Sequence, residues 1–430
     1  MKKFTIILWL MLVTTTLLWY LSKTTLDDIM LSPIKSIAQI TALLGAIGYF
    51  AAYIFSSRLP FLEQDLPLDK SYKIHRLLGT LAGSGIILHV SSLIANLLPA
   101  KAALTLYLLP SADFAYTVGV LAFYLIILTL LTTLYLKLPY HIWKVVHQIT
   151  SYSIIFATLH LFFITSDISR YFPLRVWMLG IAFLAVCAWF YKEFLYKANA
   201  SSHEYAVTKV DTLQEITVIT LSAIRRPLAL KPGQFAFFKF FNAKSKPSRE
   251  AHPFTVVASN PSEITIAVKT LGDYTKSIDS LQVGDPVRVA GPHGSFGNEI
   301  LESDRPGVWI AGGIGITPFF NLISYLNQSG LKKNVSLFYT TTEQDLLFHP
   351  RLQEIASQLG YSYHYTCSNK DGRLTPEQTL HDLSESPKSY NFFLCGPGGL
   401  LVSTFTALER AGVPSSHIFT EDFDFKALYI

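Results

Sequence analysis

Charged residues are scarce in this 430-residue chain: Asp, Glu, Lys and Arg make up 15% of it, while 50% is hydrophobic. The scarcity is uneven. Long apolar runs fill the first 200 residues, and from about Ser201 onward charges, Gly and Pro return at the frequencies of a soluble protein. Cysteine is rarer still, with only Cys187, Cys367 and Cys395, and no CxxC pair among them. That count excludes iron–sulfur ligation by four thiolates and argues against a disulfide framework. The first apolar run lacks a small-x-small cleavage site and is followed only by Leu-Ser-Lys-Thr-Thr, so it reads as a retained helix and not as a signal peptide. The net charge of +5 follows mostly from the placement of basic residues beside these runs, and no nucleic-acid partner is expected.

Six stretches, at roughly 4–21, 34–55, 74–97, 116–136, 145–165 and 174–195, are long enough to span about 30 Å of hydrocarbon as helices. With the N-terminus inside, Lys2, Lys3, Arg58, Lys70, Lys73, Arg76, Lys137, Lys144, Lys192 and Lys197 flank them on the cytoplasmic side. Lys23, Lys35, Lys101, Arg170 and Arg175 flank the outer side. Ten against five satisfies the positive-inside rule and puts both termini in the cytoplasm.

Four histidines interrupt the apolar sequence: His75 and His89 in the third stretch, His147 and His160 in the fifth. Ionisable groups at membrane depth are costly and mark proton paths, ion paths or cofactors. A lone histidine is equally well explained by an interhelical hydrogen bond, and His141, at a helix start, reads as interfacial. The repeated spacing distinguishes the four. His75 and His89 are 14 residues apart, about 21 Å of helix rise and nearly whole turns, so they share a face. His147 and His160 are 13 apart, with poorer phase, so the fifth helix is expected to be locally distorted or to present its histidines from two sides. Two such helices can clamp two stacked haems, His75 with His147 on the inner side and His89 with His160 on the outer. Two imidazoles fill both axial positions of a haem iron and restrict it to relaying electrons. Gly79, Gly83 and Gly85 either admit a porphyrin close to the backbone or serve helix packing. Arg76 and Lys144 either meet haem propionates or serve the charge bias.

Residues 204–290 read as short alternating strands separated by turn signals such as Lys-Pro-Gly-Gln, which suggests a small antiparallel barrel. The rhythm then changes to alternating strands and helices, a doubly wound α/β pattern whose ligands lie beyond the carboxyl ends of the strands. Gly312-Gly313-Ile314-Gly315-Ile316-Thr317-Pro318 follows one strand and opens a helix. Such a turn lets backbone amides approach a pyrophosphate. Cys395-Gly396-Pro397-Gly398-Gly399 ends a later strand of the same sheet, so both turns are expected on one rim.

In this order the pieces resemble the ferric reductase and NADPH oxidase superfamily, a six-helix haem domain fused to a ferredoxin-reductase-like flavoprotein, over essentially the whole chain. The resemblance implies a transmembrane haem domain at 1–200, an FAD-binding β-barrel at 201–302 and an NAD(P)-binding α/β domain at 303–430. It implies that His252, Pro253, Phe254 and Thr255 hold the flavin, with the Thr255 hydroxyl near its reactive edge. Lys269, Gly272, Tyr274 and Thr275 then contact the FAD phosphates, Tyr274 standing where Trp is more usual. Gly313, Gly315, Thr317, Pro318, Cys395, Gly396 and Pro397 are implied to receive the nicotinamide dinucleotide, with the Cys395 thiol near the nicotinamide. Phe423 is the best match, and Phe425 the second, for an aromatic that covers the flavin face. No Arg stands at Tyr339–Glu343, where a 2′-phosphate is often read; Arg373 is a possible substitute and Thr342 can bond either cofactor, so NADPH and NADH both stay open.

The implied activity is that of an NAD(P)H-dependent oxidoreductase of the cell membrane. Electrons pass from cytoplasmic NAD(P)H through FAD and two haems b to an outer acceptor, an Fe(III)-chelate. Reduction of O2 to superoxide is the first alternative. Oxidases of the superfamily place an Arg and a further His near the outer haem, whereas here Leu93 lies one turn beyond His89 and the outer half of the second stretch offers only Lys35 and Gln39. Delivery to an external protein is the second alternative, but short outer loops such as 98–115 give no sign of an obligatory protein partner. A structural or transport role would require all the cofactor motifs to be accidental.

Overall fold

Six helices among the described residues are long and apolar enough to cross a membrane: Lys3–Leu21, Pro33–Phe55, Lys70–Leu97, Phe114–Tyr135, Ile142–Phe163 and Phe172–Asn199, called helices one to six below. The computed structural model describes residues 2–23, 27–66, 68–97, 104–136, 138–200, 203–241 and 251–421. The chain divides into two compact units between Tyr196 and Lys197.

In the first unit the helix ends follow from local chemistry. Pro33 opens helix two, where a missing N–H costs nothing. The Asp113 carboxylate accepts from the Tyr116 N–H at 3.2 Å and caps helix four. Small residues let helices two and three approach closely, since a Cβ on Gly85 would stand 3.3 Å from the Gly45 Cα. Ile47, Phe50, Leu174, Met178, Ala182 and Ala185 are buried in the core. The outward residues Trp9, Leu10, Leu77, Leu81 and Phe183 are each more than half exposed. Apolar groups in such numbers are at home in hydrocarbon, and the protein is a multi-pass membrane protein.

The second unit begins with a closed antiparallel barrel in the order β1-β2-β5-β4-β3-β6. Its strands are β1 (Glu204–Leu213), β2 (Ile216–Arg225), β3 (Phe235–Phe240), β4 (His252–Ser259), β5 (Glu263–Lys269) and β6 (Pro286–His293). Alternation along β3 sends Phe238 and Phe240 into the barrel core with Tyr205, Ile219 and Val289. A parallel sheet follows, in the order β11-β10-β7-β8-β9: β7 (Gly307–Gly312), β8 (Val335–Thr341), β9 (Ser362–Cys367), β10 (Asn391–Cys395) and β11 (Ile418–Glu421). Every residue of β7 is buried, as a central strand covered on both faces requires. Barrel and sheet share one core, in which Ile216, Val257 and Ala267 pack with Phe296, Trp309 and Phe319. Asn321 crosses the seam: its Oδ1 accepts from the Gly233 N–H at 3.1 Å and its Nδ2 donates to the Val257 carbonyl at 3.0 Å.

Candidate functional site

The rings of His75 and His147 face each other with centroids 6.1 Å apart and planes turned by 77°. Two imidazoles bound through Nε2 to one metal at about 2 Å each put their ring centres roughly 6 Å apart, so the pair fits a shared haem iron. Backbone carbonyls fix the tautomers. The Nδ1–H of His75 donates to Ala52 at 3.0 Å, that of His89 to Ala38 at 2.7 Å, and that of His160 to Ala115 at 2.8 Å. Each bond leaves Nε2 bare, the state a metal-ligating histidine needs. His147 differs, because its buried Nδ1 has no hydrogen-bond partner among the described residues and its ring lies on Trp143, centroids 5.1 Å apart.

The three glycines of helix three are not equivalent. Gly83 and Gly85 serve packing, against Leu130 and Gly45 respectively, while a Cβ on Gly79 would meet nothing within 4 Å. Gly79 lies one turn beyond His75 and leaves room beside it. The expected distortion of helix five is present as a break between Tyr140–Thr150 and Ser153–Phe163. The side chain of His141 lies outside the described residues.

In the barrel, β4 carries the residues expected at the flavin. Thr255 is buried and pairs in register with Phe235, while Phe254 packs against the barrel core. The His252 ring stacks on Tyr274, centroids 3.5 Å apart and planes 22° apart. After β5, the Thr275 hydroxyl oxygen accepts from the N–H groups of Leu271 and Gly272 at 2.8 and 2.9 Å, shaping the turn into the helix Asp273–Ser277. A Cβ on Gly272 would meet nothing, so the backbone there is open to a ligand. Lys269, mostly buried at the end of β5, lies 3.5 Å from the Glu215 carboxylate.

In the parallel sheet the order of strand addition reverses between β7 and β10, the switch point where doubly wound folds bind their ligands. Both glycine turns sit there. Gly313 adopts φ +53°, a left-handed conformation that favours glycine. A Cβ on Gly396 would stand 2.9 Å from the Gly312 nitrogen, so the two turns touch backbone to backbone. Cys395 is buried at the end of β10, and Thr317 and Pro318 open the helix Thr317–Ser329. Beyond β8, Glu343 pairs with Lys370, and that hydrogen bond raises the lysine pKa. Burial pushes the neighbouring Tyr365 hydroxyl up to about 12. Arg373 is exposed.

Three family models cover most of this architecture. Residues 41–158 match a ferric reductase like transmembrane component, 201–294 an FAD-binding domain, and 309–404 an oxidoreductase NAD-binding domain. The chain has the architecture of the ferric reductase and NADPH oxidase superfamily. Among known proteins it is similar to the anthranilate 1,2-dioxygenase electron transfer component of Acinetobacter baylyi, 28% identical over 238 residues. It is also similar to NADH-cytochrome b5 reductase 1 of Scheffersomyces stipitis, 31% identical over 153 residues. These matches cover 50% and 33% of this chain and 66% and 52% of those proteins, less than two thirds of each relative. Among solved structures, a flavohemoglobin from Malassezia yamatoensis with bound FAD and heme aligns with a TM-score of 0.52 at 18% identity, covering 91% of this chain and 98% of that one. A likeness at that identity is one of fold.

Within the superfamily's frame, Phe423 and Phe425 lie outside the described residues. The structure adds a group that the motifs did not single out. Glu421 ends β11 in register with Cys395 and is buried, its Oε1 3.3 Å from where a Cβ on Gly294 would stand. A single acid closing the apolar strand Ile-Phe-Thr-Glu was the available signal.

Proposed function

We propose that this oxidoreductase carries electrons from cytoplasmic NAD(P)H across the cell membrane to an Fe(III)-chelate on the outer side. Bound FAD would supply the link between a two-electron hydride donor and one-electron haem acceptors. The chain's own residues hold and orient these groups. His75 with His147, and His89 with His160, would hold the two haem irons through their imidazoles. The barrel residues His252 to Thr255, with Lys269, Gly272, Tyr274 and Thr275, take the flavin. The turns at Gly313–Pro318 and Cys395–Pro397 take the dinucleotide. The domain limits that go with this reading are 1–200, 201–302 and 303–430, with both termini cytoplasmic.

The observation that carries the reading is the joint occurrence of four histidines, three of them with fixed tautomers, and two touching glycine turns at a sheet switch point. Two imidazoles on each haem iron would leave no open coordination position, so the acceptor would be reduced without binding to iron. On the outer side, Lys23 is engaged: it donates to Gln39 at 2.7 Å and to Asp167 at 2.5 Å. The reductase reading is preferred to the oxidase one because Leu93, and not an arginine or histidine, stands one turn beyond His89.

The test compares NAD(P)H oxidation with an Fe(III)-chelate and with O2 as acceptor, superoxide dismutase serving as probe. Direct iron reduction under anaerobic conditions is expected. Iron reduction that dismutase abolishes under air, and that vanishes without oxygen, would overturn the reading in favour of a superoxide-forming oxidase.

A further inference from the structure

The histidines of helix five are 13 residues apart, and a regular α-helix would leave them roughly 140° short of whole turns. The 14 residues between those of helix three leave a deficit of only about 40°. Both rings of helix five meet partners on helix three only if the helix winds further between them.

The break at Ser151–Tyr152 supplies that winding. The Tyr152 N–H bonds the Ile149 carbonyl at 3.2 Å, the Ile154 N–H bonds Ser151 at 3.3 Å, and the Ile155 N–H bonds Tyr152 at 3.0 Å. All three are bonds to the third residue back, the pattern of a 3₁₀ turn, which advances about 120° per residue where an α-helix advances about 100°. Some four residues so wound add roughly 80°, leaving a deficit of about 60°, close to that of helix three.

Tightening removes α-helical donors from carbonyls that still need partners. The Gln148 carbonyl, no longer bonded by Tyr152, accepts from the Ser151 hydroxyl at 2.7 Å. The Ser151 carbonyl, which exchanges Ile155 for the long 3.3 Å bond from Ile154, accepts a second and shorter bond from the Tyr53 hydroxyl of helix two at 2.8 Å. Tyr49 and Ser153 share a hydrogen bond of 2.6 Å alongside, and the Trp189 indole donates to the Ser151 hydroxyl at 3.2 Å.

From these bonds we infer that Tyr53 is a positioning residue for haem ligation. By adding its short bond to a carbonyl that the 3₁₀ turn leaves with only a long backbone one, its hydroxyl holds helix five in the wound form that aims His160 at His89 while His147 stays aimed at His75. The inference rests on the reading that the four histidines ligate haem.

The test is Tyr53→Phe in the purified full chain, read by haem-to-chain ratio and by the optical and electron paramagnetic resonance signatures of low-spin haem. The expected result is a ratio falling from two toward one, with the residual spectrum matching that of His89→Ala and the FAD content unchanged. Tyr124→Phe removes a similar hydroxyl-to-carbonyl bond, 2.7 Å to Leu108, and is expected to leave both readouts in place. A Tyr53→Phe protein with two haems and unaltered low-spin signals would overturn the inference. Wild-type protein without low-spin haem would instead overturn the reading beneath it. If Tyr53→Phe fails to accumulate, Ser151→Ala is read by the same criteria, because it removes the cap on the other freed carbonyl.

Discussion

Gly315 and Cys395 lie in backbone contact: a Cβ on Gly315 would stand 2.5 Å from the Cys395 carbonyl oxygen. Neither backbone has room to yield, because β10 and β7 are hydrogen-bonded neighbours in the sheet. The contact holds the two turns of the switch point together, and it dictates the residue type.

Gly315→Ala should therefore cost about 1–3 kcal/mol by overpacking, a fall of several degrees in Tm for a unit of this size. It should also raise KM for NAD(P)H while FAD remains bound. Gly398→Ala serves as the control, since a Cβ there meets nothing within 4 Å. Thermal unfolding of the two variants, with NAD(P)H titrations, checks the pair. Equal Tm values would show that the turns can separate without loss.

The histidine pairs predict a modular failure. His89→Ala removes one outer ligand and should lose one of two haems, while reduction of the flavin by NAD(P)H continues in the other unit. Haem quantitation and the bleaching of flavin absorbance on adding NAD(P)H measure the two outcomes separately. Loss of both together would argue against independent units.

Much of this was legible in the sequence because periodicity reports burial. The six apolar runs, the alternation of Phe235–Phe240 and the all-buried strand Gly307–Gly312 each record an environment in their own residues. The 13-residue spacing even announced that helix five must be distorted or present its histidines from two sides. The sequence did not show how. Tyr53 and Ser151 are 98 positions apart, and a tyrosine in an apolar helix carries no mark of the carbonyl it will cap. Glu421 was obscure for the same reason, since its place beside Cys395 and Gly294 exists only once the strands are ordered in space.

Two ion pairs of the membrane unit offer a stability test. Lys23 and Asp167 pair at 2.5 Å with side chains only 9% and 14% exposed, whereas Lys3 and Asp65 pair at 3.5 Å with side chains 77% and 55% exposed. Removing one partner of a buried pair strands the other charge and costs about 3–5 kcal/mol; an exposed pair contributes about 0–1 kcal/mol. Asp167→Ala should thus lower the thermal stability of detergent-solubilised protein clearly, and Asp65→Ala hardly at all. Similar losses from both would mean that water reaches Lys23 and Asp167.

The pairing of Glu343 with Lys370 bears on the choice of nicotinamide. In a doubly wound sheet the adenosine ribose lies over the end of the second strand, here β8, and an acid there bonds the 2′-hydroxyl of NADH and repels a 2′-phosphate. Lys370 holds the Glu343 carboxylate in place just past Thr341 and Thr342. Bonds to a charged acceptor contribute about 1.5–3 kcal/mol, so Glu343→Gln should lower kcat/KM for NADH by about tenfold to a hundredfold. The same change removes a repulsion and should leave NADPH unaffected or improved. Steady-state kinetics with both nucleotides and a common artificial acceptor measure the ratio. If NADH and NADPH fell together, Glu343 would be supporting the loop and not reading the ribose; if NADPH alone fell, the lysine would be the reader and the carboxylate its anchor.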